Sequence, residues 1–340
     1  MKYYFNTYHL FFCLFIFIGS EICSQDIHFS QYYANPLNLN PALTGYMSGN
    51  QRLIINYKNQ WANIMNPYKT LSLSYDQHFF RKKMNGSWFG GGLQVLSDQA
   101  GTSNLSNSKI ALSGSFIYML NDNNYLTSGI QAGFIQRSFS MDELYFDSQI
   151  TPSGINTGLP NNENISSLSS SAIDVCFGLL WGYKPSNVID IYSGISFAHL
   201  NQPKIGFNDA DYALKQRSVF HSGMTYNVSP KMFVQPSFIY QYQSKANELI
   251  MGASIGHIIP SKTPERMLLA YYGFWYRNAD AIIPFCGVEI ESLKIGLSYD
   301  INSSSLRTAS NYKGGFEISI KWELPKPSKR MVTAIPCPRF

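Results

Sequence analysis

The segment LKIGLSYD at residues 293–300 alternates apolar and polar side chains without a break. The same two-residue period is present in TLSLSYD at 70–76 and in FEISIKWE at 316–323. Because successive side chains of a β-strand point to opposite faces, each segment would have one apolar and one polar face as a strand. The pattern therefore predicts amphipathic strands rather than helices.

Such segments recur from residue 52 almost to the end of the chain, and we count about fourteen of them. Most have close to the 9 to 11 residues that a tilted strand needs to cross a bilayer, and an even number is typical of single-chain bacterial barrels. We therefore predict an all-β transmembrane antiparallel β-barrel of about 14 strands, with both termini periplasmic. The predicted strands lie near 52–61, 70–77, 88–97, 108–119, 125–137, 172–183, 190–199, 218–227, 232–242, 248–258, 266–277, 282–291, 293–301 and 314–323.

The composition favours this class of protein over a soluble one. Aromatic residues make up 15% of the chain and charged residues only 14%, whereas a soluble domain carries about a quarter charged residues. Tyrosine and phenylalanine, 23 of each, suit the aromatic girdles of a membrane barrel. A soluble two-sheet sandwich is the alternative for many alternating strands, but it would need more charge on its exposed face.

The two ends of the chain differ from the region between them. Lys2 followed by an apolar run at 10–18 indicates a secretory signal peptide at 1–24. Secretion together with the predicted barrel places the mature protein in the outer membrane of a Gram-negative bacterium. Lipidation at Cys23 is a weaker alternative, because the residues before it are not small. We divide the remainder into a lead-in or plug segment (25–51), the barrel (52–323) and a Pro-rich basic tail (324–340).

The connections between the predicted strands have two different lengths. If the first strand starts in the periplasm, the long connections 138–171, 200–216 and 302–313 all face outward. Turns such as 121–124 and 228–231 are short, are rich in turn-forming residues and face the periplasm. Long loops on one side and short turns on the other are typical of outer-membrane barrels.

No spacing of reactive residues indicates catalysis. His199 and His221 belong to no recognisable Ser/His/acid or metal-binding pattern, and Asp174 is interpreted as a charge facing the lumen. Cys176 and Cys286 are interpreted as small residues within strands. We predict no enzyme activity, no cofactor and no metal. No basic run with interleaved aromatics points to nucleic acid.

The most specific motif precedes the first strand and reads FSQYYANPLNLNPALTG at 29–45. Its two Asn-Pro pairs impose successive extended and turned steps on the backbone. Two interpretations are open: a bent lead-in before the barrel, or a segment in the lumen or docked on a periplasmic partner.

This motif closely resembles the opening of the PorP/SprF family, outer-membrane components of the type IX secretion system in Bacteroidota. The similarity continues through Arg52 to Trp61 and into the second strand, and Cys337 to Phe340 resembles the ending of the gliding-associated branch. The motif residues are Phe29, Ser30, Gln31, Tyr32, Asn35, Pro36, Asn40, Pro41 and Gly45.

The resemblance implies a barrel that docks, helps export or anchors a secreted surface protein, an adhesin-like cargo held through its C-terminal domain. It also implies a link to gliding motility or attachment, and contact with periplasmic or peptidoglycan-associated components of the secretion system. The family supplies no catalytic residues. The alternative is an outer-membrane channel or transporter for small solutes.

The candidate cargo-binding surface is the long connection 138–171. It contains Asp142, Glu143, Tyr145 and Phe146, which combine charge with aromatic rings. Aromatic side chains often dominate the binding energy of protein interfaces. We therefore expect these four residues to contact the cargo.

Overall fold

A computed structural model describes residues 26–61, 67–81, 84, 86–101, 105–141, 144–160, 168–207, 213–259, 268–304, 308 and 311–324. Within these residues, fourteen antiparallel strands form a closed barrel, and a two-stranded hairpin lies in one loop. The barrel strands are β1 (Gln51–Gln60), β2 (Tyr68–Phe79), β3 (Trp88–Ala100), β4 (Leu105–Asn121), β5 (Asn124–Ser138), β8 (Ser169–Tyr183), β9 (Ile189–Ala198), β10 (Arg217–Ser229), β11 (Met232–Gln243), β12 (Ala246–Ile259), β13 (Leu268–Arg277), β14 (Ala281–Ile290), β15 (Leu293–Asn302) and β16 (Lys313–Leu324); the hairpin is β6 (Ile150–Thr151) with β7 (Gly154–Ile155).

Closure depends on β1, which pairs with both the next strand and the last one. Tyr57 lies opposite Leu71 on β2 and opposite Ile318 on β16. A closed ladder leaves no edge of unpaired backbone groups, which is what a sheet needs in hydrocarbon. The predicted fold class is confirmed, and each of the fourteen predicted segments overlaps one observed strand, with ends that differ by a few residues.

The outer surface of the barrel is apolar. Leu112 on β4 and Phe274 on β13 are 68% and 64% exposed on the outer face. Ser72 and Ser74, on the inner face of β2, are buried. Cys176 is buried, Cys286 faces outward, and both are free thiols. None of the helices among the described residues is long and apolar enough to cross a membrane. The exposed apolar side chains of the strands form a surface that suits contact with lipid.

Residues 26–50, which we call the plug segment, fill the lumen. They form three single turns: the 3₁₀ turns Tyr32–Ala34 and Pro41–Leu43, and an α-helical turn, Pro36–Leu39. Each Asn-Pro pair starts a turn, because proline is suited to the first helical position, and the Asn40 side chain caps the second pair by accepting from the Ala42 amide. Ala42, Leu43 and Tyr46 have no exposed surface.

The lumen is polar on one side and apolar on the other. Buried polar and charged side chains face inward from β1, β2, β15 and β16, as the alternation predicts. Inward positions of β10 to β14 instead carry apolar and aromatic side chains. These pack with Tyr32, Leu39, Leu43 and Tyr46 of the plug segment; they include Val219, Phe233, Ile239, Ile250, Leu269, Tyr271, Trp275, Ile283 and Phe285. The two halves differ because the plug segment presents apolar and aromatic side chains to β10–β14, whereas it presents backbone amides, carbonyls and a hydroxyl to the polar half.

Glycines on the inner face of the wall allow the plug segment to approach it closely. A side chain at Gly129 would overlap the carbonyl of Pro41, and one at Gly178 would overlap the Asn40 amide. Gly45 has a φ of +66° and packs against Gly90, so both its conformation and its close approach require glycine. Plug segment and wall therefore have complementary shapes.

The plug segment runs from one mouth of the barrel to the other. The Asn50 amide donates to the Leu324 carbonyl at 3.0 Å, at the mouth where β1 begins. Asp26 lies at the opposite mouth, beside His199 and Gln243 at the far ends of β9 and β11. That mouth also has the long connections 139–168, 199–216 and 303–312 and the four shorter ones 61–67, 101–104, 244–245 and 278–280, and we call it the long-loop mouth. The two-residue turns 122–123, 230–231 and 291–292 lie at the other, short-turn mouth.

The predicted periplasmic position of both termini and the division into four segments stay predictions. Residues 1–25, with the predicted signal peptide, and residues 325–340, with the predicted tail, lie outside the described residues. The nearest described residues, Asp26 and Leu324, lie at opposite mouths.

We predict that Gly129→Ala destabilises the barrel by about 1–3 kcal/mol, because the added methyl group forces the Pro41 backbone to move. Gly114→Ala is the matched control, since Gly114 lies next to the partner of Gly129 on β4 and has open space around it. The apparent melting temperature in detergent micelles measures the effect. Equal melting temperatures for the two variants would contradict the close contact.

Candidate functional site

The backbone of the plug segment is bound by a buried carboxylate of the wall. The amides of Ser30 and Gln31 donate to the two carboxylate oxygens of Glu317 at 2.8 and 3.0 Å. The Gln31 side chain donates to the Glu317 carbonyl at 3.1 Å. Buried amides need acceptors, and this part of the plug segment has no strand ladder to supply them. Glu317 on β16 accepts their hydrogen bonds instead.

A second anchor joins the plug segment to β13 and β15. The Ser30 hydroxyl donates to the Asp300 carboxylate at 2.8 Å and accepts from the Arg277 guanidinium at 2.7 Å. Arg277 also donates to Asp300 at 3.0 Å. All three side chains are buried, so the two charges are compensated by each other and by the hydroxyl.

A third anchor lies near the short-turn mouth. Arg52 forms a two-pronged ion pair with Asp76, with nitrogen–oxygen distances of 2.9 and 2.7 Å. The guanidinium also donates to the Leu43 carbonyl at 3.0 Å, and Asp76 accepts from the Gly45 amide at 2.7 Å. This pair binds both a carbonyl and an amide of the plug segment.

The two asparagines of the Asn-Pro pairs bind the middle of the wall. The Asn35 amide group donates to the Ser72 hydroxyl at 3.0 Å and accepts from Gln94 at 3.2 Å. The Asn40 amide group donates to the Leu179 carbonyl at 3.0 Å and lies 3.1 Å from Nε2 of His221. The structure thus brings the family-motif residues Phe29, Ser30, Gln31, Tyr32, Asn35, Pro36, Asn40, Pro41 and Gly45 together as the body of the plug segment.

A cavity of about 490 Å³ opens at the long-loop mouth, and we call it the mouth cavity. Its lining combines the first residues of the plug segment, among them Asp26 and His28, with side chains of the wall such as Lys58 and Arg217. Cavities deeper in the lumen measure about 20 and 30 Å³, room for roughly one water molecule each. A further cavity of about 160 Å³ lies at the short-turn mouth, beside Asp190 and Pro230, and the mouth cavity is the larger of the two.

At the edge of the mouth cavity, the side chains of His199, Arg217 and Gln243 surround the carboxylate of Asp26. We call these three residues the Asp26 niche. Nε2 of His199 lies 2.6 Å from Asp26 Oδ2, and Nε of Arg217 lies 3.6 Å from the same oxygen. Gln243 donates to the other oxygen at 3.2 Å and accepts from the Asp26 amide at 2.9 Å. The niche therefore binds both the side chain and the main chain of an aspartate.

His199 is held between two carboxylates. Its Nδ1 lies 2.8 Å from Asp174, whose other oxygen accepts from Lys109 at 3.0 Å. Burial alone lowers the pKa of His199, but the charge of Asp26 and the contact with Asp174 outweigh burial and raise the pKa above its ordinary value. Burial acts to raise the pKa of Asp26, but His199 and Arg217 hold the pKa below its ordinary range. With both ring nitrogens engaged, His199 has no free position for proton transfer with a substrate.

The predicted cargo-binding residues lie in the connection between β5 and β8 at the long-loop mouth. Tyr145 is 57% exposed and Phe146 is half-buried, while Asp142 and Glu143 lie outside the described residues. A 3₁₀ turn, Asp147–Gln149, follows, and the Gln149 side chain donates to the Leu159 carbonyl at 3.1 Å. This region is a folded loop, and neither Tyr145 nor Phe146 is part of the Asp26 niche.

A comparison with known protein families agrees with the motif. The family model for the type IX secretion system membrane protein PorP/SprF matches residues 22–322. A comparison with curated proteins gives no match.

Among solved structures, the CymD monoaromatic hydrocarbon channel is similar at 11% identity and a TM-score of 0.45, covering 87% of this chain and 94% of that one. The translocator domain of the autotransporter NalP from Neisseria meningitidis has 10% identity and a TM-score of 0.44, covering 85% and 94%. The toluene transporter TodX of P. putida has 12% identity and a TM-score of 0.45, covering 84% and 93%. At these identities the similarity is one of fold alone.

We expect the binding of Asp26 in its niche to weaken at high pH, when His199 loses its proton, and at low pH, when Asp26 gains one. The stabilisation from His199 is complete below its ordinary pKa of 6.5 and is lost as the pH rises through the raised value. The stabilisation from Asp26 is complete above its ordinary pKa of 3.8 and is lost as the pH falls through the lowered value. Besides Asp26, the charged groups around His199 are Asp174, Lys109 and Arg217.

We predict that hydrogen exchange of the Asp26 amide, corrected for its intrinsic pH dependence, becomes several-fold faster between pH 6 and pH 9. His199→Gln should abolish this change, whereas His257→Gln should preserve it, because His257 stacks on Tyr272 on the lipid-facing side. A pH response that survives His199→Gln would show that another group controls the contact.

Proposed function

The chain belongs to the PorP/SprF family of type IX secretion system membrane proteins, and we propose that it is a plugged outer-membrane barrel that docks, helps export or anchors a secreted surface protein at its long-loop mouth. The observation that carries this proposal is the filling of the lumen by the protein's own plug segment. With the lumen filled, the two mouths and the outer face are the parts of the barrel that remain accessible to a partner.

The anchors of the plug segment argue against the alternative, an outer-membrane channel or transporter for small solutes. Glu317, Asp300 and Asp76 each bind this segment from a buried position. Removing the segment would take away the amides that bind Glu317 and Asp76 and the hydroxyl that binds Asp300, which costs about 1–3 kcal/mol for each buried group left unsatisfied. The mouth cavity favours solute binding at one end, but the cavities below it are small.

The loop between β5 and β8 is the proposed docking surface for the cargo. On it, Tyr145, Ile150 and Ile155 are each more than half exposed. Large apolar side chains exposed next to one another on a loop in water are typical of protein interaction sites. Together with Phe146 and with Asp142 and Glu143, they offer aromatic, aliphatic and acidic contacts to a secreted protein. The proposed contact on the cargo side is its C-terminal domain.

The short-turn mouth is the proposed contact with the rest of the secretion machinery. Strand β16 ends at Leu324 at this mouth, and the basic, Pro-rich residues 325–340 follow it in the sequence. We assign this side to periplasmic or peptidoglycan-associated components, with lipid around the strands. The two mouths would then serve two different partners.

Deleting residues 140–167 and closing the gap with a short Gly-Ser linker should abolish retention of the cargo at the cell surface and leave the barrel assembled. Shortening 303–312 at the same mouth is the matched control. Copurification of secreted proteins with the barrel from its native membrane measures the effect. Unchanged retention after the first deletion would refute the docking surface.

Tyr145→Ser should weaken cargo binding about tenfold, because an exposed aromatic anchor typically contributes 1 kcal/mol or more. Tyr312→Ser is its control, since Tyr312 is 59% exposed on another loop of this mouth. If both substitutions weaken binding equally, the cargo does not depend on the β5–β8 loop in particular.

The purified protein should form no steady ion-conducting pore in planar bilayers, because the plug segment occupies the lumen. Conductance recorded over minutes at both polarities checks this expectation. Stable open channels in the unmodified protein would favour the solute-channel alternative instead.

A further inference from the structure

We propose that the mouth cavity binds an acidic peptide segment, whose carboxylate replaces that of Asp26 between His199 and Arg217. The inference rests on the proposed function in one respect: it takes the partner at the long-loop mouth to be a polypeptide. It adds a defined binding site, the mouth cavity, and identifies Asp26 of the same protein as a group that competes for it.

The Asp26 niche already shows which chemistry it recognises. His199 and Arg217 contact the carboxylate, at 2.6 and 3.6 Å, and Gln243 binds both a side-chain oxygen and the main-chain amide of the same residue. The amide contact is a feature of a peptide and is absent from a simple anion. The niche is therefore complementary to an aspartate within a polypeptide.

Three buried nitrogen atoms of the lining have no hydrogen bond among the described residues: Nε1 of Trp61, Nε of Arg217 and Nε2 of His28. Nε of Arg217 and Nε2 of His28 have only longer contacts with carboxylates, 3.6 Å to Asp26 and 3.7 Å to Glu248. Buried donors are normally satisfied, and arginine and tryptophan can only donate. A ligand rich in acceptor oxygens, such as a peptide with its carbonyls and a carboxylate, supplies what these atoms lack.

Charge and shape agree with this class of ligand. The lining has four Lys and Arg residues against two carboxylates, those of Asp26 and Asp98. An apolar cluster of Ile135, Ile205 and Leu214 forms another part of the wall. The volume of about 490 Å³ falls within the range of about 300–1,000 Å³ of ligand sites. An acidic residue flanked by aliphatic ones matches both parts of the cavity.

Asp26 is positioned to exchange with such a ligand. Residues 26–28 form no helix or strand, and the Asp26 side chain keeps 19% of its surface exposed. The anchors to Glu317 begin only at Ser30. Asp26 can therefore leave the niche without disturbing the rest of the plug segment, and it acts as an internal competitor for the site.

The test uses the purified full-length mature barrel in detergent micelles and two dye-labelled probes, acetyl-Gly-Ile-Asp-Ile-Gly-amide and its Asn counterpart. Fluorescence anisotropy gives the dissociation constants. We expect the Asp peptide to bind at least tenfold more tightly than the Asn peptide. Asp26→Ala should tighten binding of the Asp peptide about tenfold, because the competitor is removed.

Arg217→Gln should weaken binding at least tenfold, whereas Lys231→Gln, in an exposed turn at the short-turn mouth, should leave it unchanged. Equal binding of the two peptides, or no gain from Asp26→Ala, overturns the proposal even if Arg217→Gln fails to fold. Stronger competition by glucuronate than by the unlabelled Asp peptide overturns the assignment to a peptide.

The outcome is separable from that of the docking proposal. If the peptide binds as expected but deletion of 140–167 leaves cargo retention intact, the docking surface is wrong and the site stands. If retention is lost on deletion while the Asp and Asn peptides bind alike, docking stands and the site is wrong.

Discussion

A closed wall of fourteen strands encloses a space that water or protein has to fill, and here the chain fills it with its own N-terminal segment. This constraint determines what the inner face of the wall must supply. Each turn of the plug segment leaves amides and carbonyls that no strand ladder can satisfy. Glu317, Asp76 and Arg52 satisfy several of them from the wall. Burying these charges is favourable only because each is paired or hydrogen-bonded within the lumen.

The filled lumen also limits the order in which the plug segment and the wall can assemble. The plug segment is bound at the short-turn mouth through Asn50, in the middle through Asn40, and at the long-loop mouth through Asp26. Inner-face glycines such as Gly129 leave space only for its particular turns. A segment that touches the wall along its whole length would have to pass every one of these contacts to enter a finished barrel. Closure of β1 on β16 around a segment already in place avoids that passage.

Much of the wall could be predicted from the sequence, because a lipid-facing strand has a strict two-residue period and each segment carries its own signal. The motif at 29–45 also stood out, but sequence left open whether it lay in the lumen. The apolar half of the lumen was missed, because in a strand such as β13 aromatic residues occupy both faces and the period no longer distinguishes inside from outside. The Asp26 niche was missed for another reason. Its members His199, Arg217 and Gln243 are far apart in sequence, and the register of β9, β10 and β11 brings them together.

The most direct test of the account is a disulfide between the plug segment and the wall. The hydroxyls of Thr44 and Ser113 lie 2.9 Å apart, so Thr44→Cys with Ser113→Cys, in a protein whose Cys176, Cys286 and Cys337 are replaced by alanine, places two thiols side by side. Mild oxidation in the native membrane is expected to link them within one folded molecule, as mass spectrometry of the digested protein would show. If both thiols instead stay free and react with a water-soluble maleimide, the segment does not lie in the lumen and the account is wrong.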